Sequence, residues 1–219
     1  MDVMISPEVG LEVTLKLREI LVDGYRSLRS KRADNFFKYV DLRYDALSVD
    51  DKRKFNDYVR SVEGKEILAS YADSIIGTPS ETVRMAVAIL YCKDADFNFT
   101  DVDTFIFIHA MQGISEDTID FFIEASKLPS SDGPSPYPRS YIDETRMEAF
   151  RSNGWGVEGI YVYVNDLIGR RLVLPDPVPV LSGSRHDGQW AVWFGISNKS
   201  RKMASLLAKA KVLIENYDT

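Results

Sequence analysis

Cysteine is nearly absent. Cys92 is the only one in 219 residues, which excludes an internal disulfide and any multi-cysteine metal site. Histidine is almost as scarce. His109 and His186 are far apart in sequence, with no cysteine or carboxylate at ligand spacing, so a zinc site has little to build on. No apolar run nears the roughly 20 residues that span a bilayer, which sets aside an integral membrane protein. The first residues lack a basic segment followed by an apolar stretch, so no signal peptide is read there and the expected location is cytoplasmic. There is no Gly-x-Ser-x-Gly, no phosphate-binding glycine loop and no dinucleotide fingerprint. A net charge of −6 argues against a general nucleic-acid coat.

What the chain does have is apolar content, 45% of residues, enough for a sizeable core. Its clearest break is at 129–140, where Pro129, Pro134, Pro136 and Pro138 with Gly133 cannot continue a helix. Charge changes across this stretch. Residues 1–135 hold 16 Lys and Arg against 24 Asp and Glu, whereas residues 136–219 hold 11 against 9. The expected organisation is therefore a helical bundle over 1–128, a linker or long loop over 129–140, and a small α+β part over 141–219.

Helical periodicity dominates the first part. Ser6-Pro7 reads as a cap and first helical position. Val13, Leu17, Ile20, Leu21, Tyr25 and Leu28 then recur at helical spacing with Gly24 among them. Phe36, Phe37, Val40 and Tyr44 predict a second, short helix. Ser48 with Asp51 resembles a capping box, and Gly77 followed by Thr78-Pro79 predicts a stop and a restart. Residues 80–91 and 101–112 are apolar nearly all round, so both helices are expected in the core. Ser115 caps the last helix of the bundle.

The second part is mixed. Tyr141 to Asn153 predicts a helix ended by Gly154. Residues 160–169 fit a strand face (Ile160, Val162, Val164) and a helix face (Ile160, Val164, Leu167, Ile168) equally. Ser182 to Gly188 is a turn-rich tip, Trp190 to Ile196 the best strand, and Ser197 or Asn198 caps a final helix. The run Asp166-Leu167-Ile168-Gly169-Arg170-Arg171-Leu172-Val173 resembles the end of a recognition helix entering a wing. Phe194-Gly195-Ile196-Ser197-Asn198-Lys199-Ser200 resembles a second wing strand and a helix cap. Together they make residues 141–219 similar to a winged-helix domain. The alternative is a small antiparallel sheet flanked by two helices.

Few motifs carry chemistry. Asp94, Asp96 and Asn98 begin like a calcium loop, but Phe99 and Phe105 occupy the positions that need glycine and a bidentate glutamate. The expectation is an ordinary loop ended by Thr100 as a helix cap, with no metal and no cofactor. His109 reads as a core or rim histidine, His186 as part of a solvated turn, and Cys92 as a buried thiol. Arg170, Arg171, Arg185, Lys199, Arg201, Lys202, Lys209 and Lys211 form a modest basic cluster. If the winged-helix resemblance extends to nucleic acid, it implies Arg170, Arg171, Arg185 and His186 as the residues that meet it.

The function these features favour is a non-enzymatic protein–protein interaction or regulatory module, with a protein partner. The alternative is a DNA-binding regulator acting through the winged-helix-like part. A third class is an enzyme of unrecognised type. No membrane contact is expected, and homo-oligomerisation stays open.

Overall fold

The structure is a computed structural model that describes residues 7–131, 135–177 and 190–217, with side chains from Arg18 onward. The chain is mainly helical, with one small antiparallel sheet near its C-terminal end. Six helices come first: α1 (Pro7–Asp45), α2 (Val49–Arg60), α3 (Val62–Gly77), α4 (Glu81–Tyr91), α5 (Asp101–Ala110) and α6 (Glu116–Lys127). Then follow β1 (Arg139–Asp143), α7 (Glu148–Arg151), α8 (Val157–Gly169), β2 (Leu174–Pro175), β3 (Ala191–Gly195) and α9 (Asn198–Tyr217).

Local hydrogen bonds explain most of the helix starts. A hydroxyl accepts the backbone N–H three residues on at Ser48 (from Asp51, 3.2 Å), Ser61 (Gly64, 3.0 Å), Ser80 (Val83, 3.0 Å), Thr100 (Asp103, 3.2 Å), Ser115 (Thr118, 3.2 Å) and Ser197 (Ser200, 3.1 Å). Each such cap contributes about 1 kcal/mol. The restart after Gly77 differs from the sequence expectation. Ser80, not Thr78, is the cap, because the Thr78 hydroxyl instead accepts the Ser80 N–H (3.2 Å) and its carbonyl is held by Arg84 (3.1 Å).

Other expectations are corrected. The two helices read over the first 45 residues are a single α1. Its polar stretch around residues 29–35 breaks the apolar periodicity but contains no helix breaker. The helix expected over 141–153 is instead β1, a 3-10 turn and the four-residue α7. Ser140 and Ile142 are buried in alternation, and Ile142 pairs with Val192 on β3. The Asp143 carboxylate accepts the Thr145 and Arg146 N–H groups and so ends the strand. Residues 160–169 resolve as helix, with Ile160, Val164 and Leu167 buried on one face of α8.

The sheet runs β1-β3-β2, antiparallel throughout, with β3 in the middle. Gly195 on β3 lies beneath the Tyr137 ring, which leaves no room for a Cβ. In the bundle, α4 is covered by α1, α3 and α9, and Val83, Met85, Ala86, Val87, Ala88 and Ile89 are all fully buried. The second apolar helix, α5, is less enclosed: Phe107 and Ile108 are buried, but Val102 and Phe105 face solvent. The stretch between α6 and β1 holds an isolated bridge, Ser131 with Arg139. Beyond the sheet, α9 turns back and packs on α4 and α6, while α8 packs on α6 and β3.

Candidate interaction surface

The residues singled out in the sequence separate into different environments. Arg170, at the end of α8, is held within the molecule. Its Nε donates to both oxygens of Asp166 (3.0 Å each), and its Nη1 donates to the carbonyls of Ala110 (2.8 Å) and Gln112 (2.9 Å). It therefore ties the end of α8 to the end of α5. Arg171 follows in the left-handed region, at φ 63°, with its side chain exposed. Arg185, His186 and the turn-rich tip at 182–188 lie outside the described residues.

The basic cluster on α9 is engaged within the molecule, although the Lys199 side chain stays exposed. Lys199 pairs with Asp103 (2.8 Å). Arg201 donates to the carbonyls of Ser126 and Leu128 at the end of α6, where helix carbonyls lack partners. Lys202 donates to the Asn98 carbonyl (2.8 Å), and Lys211 pairs with Asp120. Lys209 bridges Asp94 (3.0 Å) and Asp96 (2.8 Å), and Arg43 of α1 meets the same Asp94 at 2.6 Å. Burial works against the Asp94 charge. The Lys209 hydrogen bond, the Asp96 N–H and the Lys209 and Arg43 charges outweigh it and hold the carboxyl below its ordinary pKa. The Asp103 carboxyl is lowered as well, first by the Lys199 bond and then by Thr100.

The acidic run at 94–103 is thus part of the seat of α9. Among the described residues no group of three His, Cys, Asp or Glu side chains could hold a metal ion. His109 stands at an exposed rim, its ring edge-on to Phe105 at 4.2 Å. Both border a groove of about 970 Å³ that runs past Tyr58, Tyr71, Phe97 and Phe99. Its two phenols sit high, with Tyr71 pushed up to about 12, chiefly by burial in both cases, and Lys93 lies over the Tyr58 ring at 3.8 Å. Such phenols stay protonated near neutral pH and are poor bases there. The groove was not foreseen, because α2, α3, α5 and the loop between α4 and α5 bring its lining together from separate stretches of the chain.

The exposed face of α8 is the other feature that sequence reading missed. It presents Glu158, Tyr161, Val162 and Asn165, with Tyr161 43% and Val162 61% exposed. No described basic side chain lies on it. The helical period alone would have placed these residues together, had the stretch been read as a helix. Comparison with protein-family models, with curated proteins and with solved structures finds no match. No helix among the described residues is long and apolar enough to cross a membrane.

Proposed function

We propose that this chain is a non-enzymatic, cytoplasmic protein–protein interaction or regulatory module that meets a protein partner through its winged-helix-like C-terminal part. The fold reading is supported by the order β1, α7, α8, β2, β3 and by a sheet with β3 between β1 and β2. In this arrangement α8 takes the place of a recognition helix. The observation that carries the functional reading is its exposed face. Tyr161 and Val162 offer an aromatic and an aliphatic anchor of the kind enriched in protein interfaces. Glu158 in the first turn repels phosphates rather than attracting them. The cations that sequence reading assigned to this part on α9 are engaged within the molecule.

DNA binding is the second reading, favoured by the exposed Arg171 directly after α8. Fluorescence anisotropy with random and genomic duplexes, at low and physiological salt, separates the two. The expected result is no sub-micromolar binding at physiological salt. Tight binding that survives this salt and disappears in an Arg170/Arg171/Arg185 triple alanine variant would replace the protein-partner reading with the DNA regulator.

A further inference from the structure

The groove flanked by α3 and α5 holds a carboxylate with no counter-ion among the described residues. Asp101 is exposed in the first turn of α5, and no hydrogen bond or ion pair from a described residue reaches its side chain. The other carboxylates that line the groove are matched, Glu63 by Lys93 (3.2 Å) and Asp94 by Arg43 and Lys209. An exposed carboxylate is ordinary by itself. A buried phenol near it with nothing to bond is not. Tyr71 is only 7% exposed and lines the same groove, yet its hydroxyl has no hydrogen-bond partner among the described residues. Phenols so enclosed usually find one. Its oxygen is not sealed in, because the fully enclosed side-chain polar atoms without a partner, among the described residues, are Arg43 Nε and Arg84 Nε. The hydroxyl therefore opens on the groove, and the Asp101 charge acts on it.

The chemistry of the walls selects the ligand. Ammonium groups of the protein itself already lie over three rings that line the groove: Lys93 over Tyr58 (3.8 Å), Lys209 over Phe97 (5.2 Å) and Lys202 over Phe99 (5.1 Å). Such ring faces attract cations. Tyr71 and Phe105 carry no cation of the described residues, and Asp101 is tied to both. Its charge reaches Tyr71, and Phe105 follows it by one turn on the same side of α5. An anionic ligand would meet Asp101 with Lys93 already committed to Glu63. Ile67 and Ile108 supply apolar wall, and about 970 Å³ is room for a drug-sized body rather than a bare ion. We propose that this groove binds a small molecule made of a protonated amine on an aromatic or aliphatic body. The ammonium donates to the Asp101 carboxylate and to the Tyr71 oxygen, and the body lies along Phe105, Ile67 and Ile108. No α8 residue lines the groove, so this site stands apart from the face proposed above for a protein partner.

Calorimetric titration of the full chain with phenylbutylamine, phenylbutanol and phenylbutyrate separates charge from shape. The expected result is half-saturation by the amine below about 1 mM. The alcohol should bind about tenfold more weakly, and the acid not at all. Asp101→Asn should lower the affinity for the amine about tenfold and leave that for the alcohol unchanged. Its circular dichroism should match the wild type, because the Asp101 side chain bonds to nothing described in the fold. Phe105→Ala, at a position 61% exposed, should weaken amine and alcohol alike. The ring resonances of His109, which stands edge-on to Phe105, should shift as the amine binds and so place it in this groove rather than on α8. Equal affinity for amine and alcohol, an affinity untouched by Asp101→Asn, or no saturation by the amine at several millimolar would overturn the proposal. So would binding of a lysine-rich peptide where the free amine fails, since the groove would then serve a protein partner.

Discussion

Two long helices of this protein carry similar runs of cations and meet opposite fates. On α9, Lys199, Arg201, Lys202, Lys209 and Lys211 each find a carboxylate or a carbonyl on the acidic body. Its apolar side is sealed as well, with Leu206 and Leu207 fully buried against the bundle. On the first half of α1, Arg26 and Lys31 stand in solvent, Arg29 lies over the Tyr25 ring of its own helix at 5.2 Å, and the apolar stripe beside them is bare. A basic run is therefore no indicator of function by itself. What decides is whether the fold brings anions to it. Here five cations of α9 are engaged in seating that helix, whereas Arg26 and Lys31 on the first half of α1 face solvent.

Four substitutions or conditions sharpen this contrast. The largest effect is expected from Leu207→Ala or Leu206→Ala, which opens a cavity under α9 and should cost about 2–5 kcal/mol in denaturant unfolding. Leu28→Ala on α1, measured in the monomer, should change little. Next, Asp94→Ala removes the acceptor shared by Arg43 and Lys209. With Arg43 only 17% exposed, its guanidinium loses its partner in a half-buried place, and the cost should be about 1–3 kcal/mol. A loss under 0.5 kcal/mol would mean that α9 is seated by its apolar side alone.

The third test uses pH. Because the Asp94 and Asp103 carboxyls are lowered in the folded state, they bind fewer protons there than in the unfolded chain. Their stabilisation is complete above the ordinary aspartate pKa of about 3.9 and is lost as pH falls through the folded values. Wild-type stability against unfolding should therefore fall below about pH 4, and Asp94→Asn should flatten that dependence. An unchanged slope in the variant would remove Asp94 from the account. The smallest effect belongs to Arg26→Gln, which should alter the stability of the monomer by less than about 0.5 kcal/mol.

The parts of the fold that were legible in the sequence are those decided locally. Ser48, Thr100 and Ser115 declared their caps because donor and acceptor are three residues apart, and the structure chooses Ser197 over Asn198 for the last helix. Residues 81–91 declared a buried helix because apolar side chains occupy every face. The strand from Ala191 to Gly195 declared itself through its aromatic and β-branched residues. What stayed hidden depends on partners distant in sequence. β1 is a strand because β3 pairs with it some fifty residues later, and its Tyr141-Ile142 segment alone reads equally well as helix. The five cations of α9 looked like a solvated or nucleic-acid face because their acceptors lie on α5, α6 and the loop between α4 and α5. Of the candidate surface, the exposed face of α8 was hidden only by the unresolved choice between strand and helix for residues 160–169.

Cys92 ends α4 beneath this packing, 6% exposed, and burial above all pushes its thiol up to about 12. At neutral pH little of it is thiolate, so alkylation by maleimides and similar electrophiles is expected to be slow while the fold is closed. The native chain is therefore expected to offer a slowly reacting thiol background. A single cysteine introduced at a surface position can carry a fluorophore or spin label without removing the natural one. When the bundle opens, Cys92 becomes an ordinary thiol, and its rate of alkylation then counts the opening events around α4.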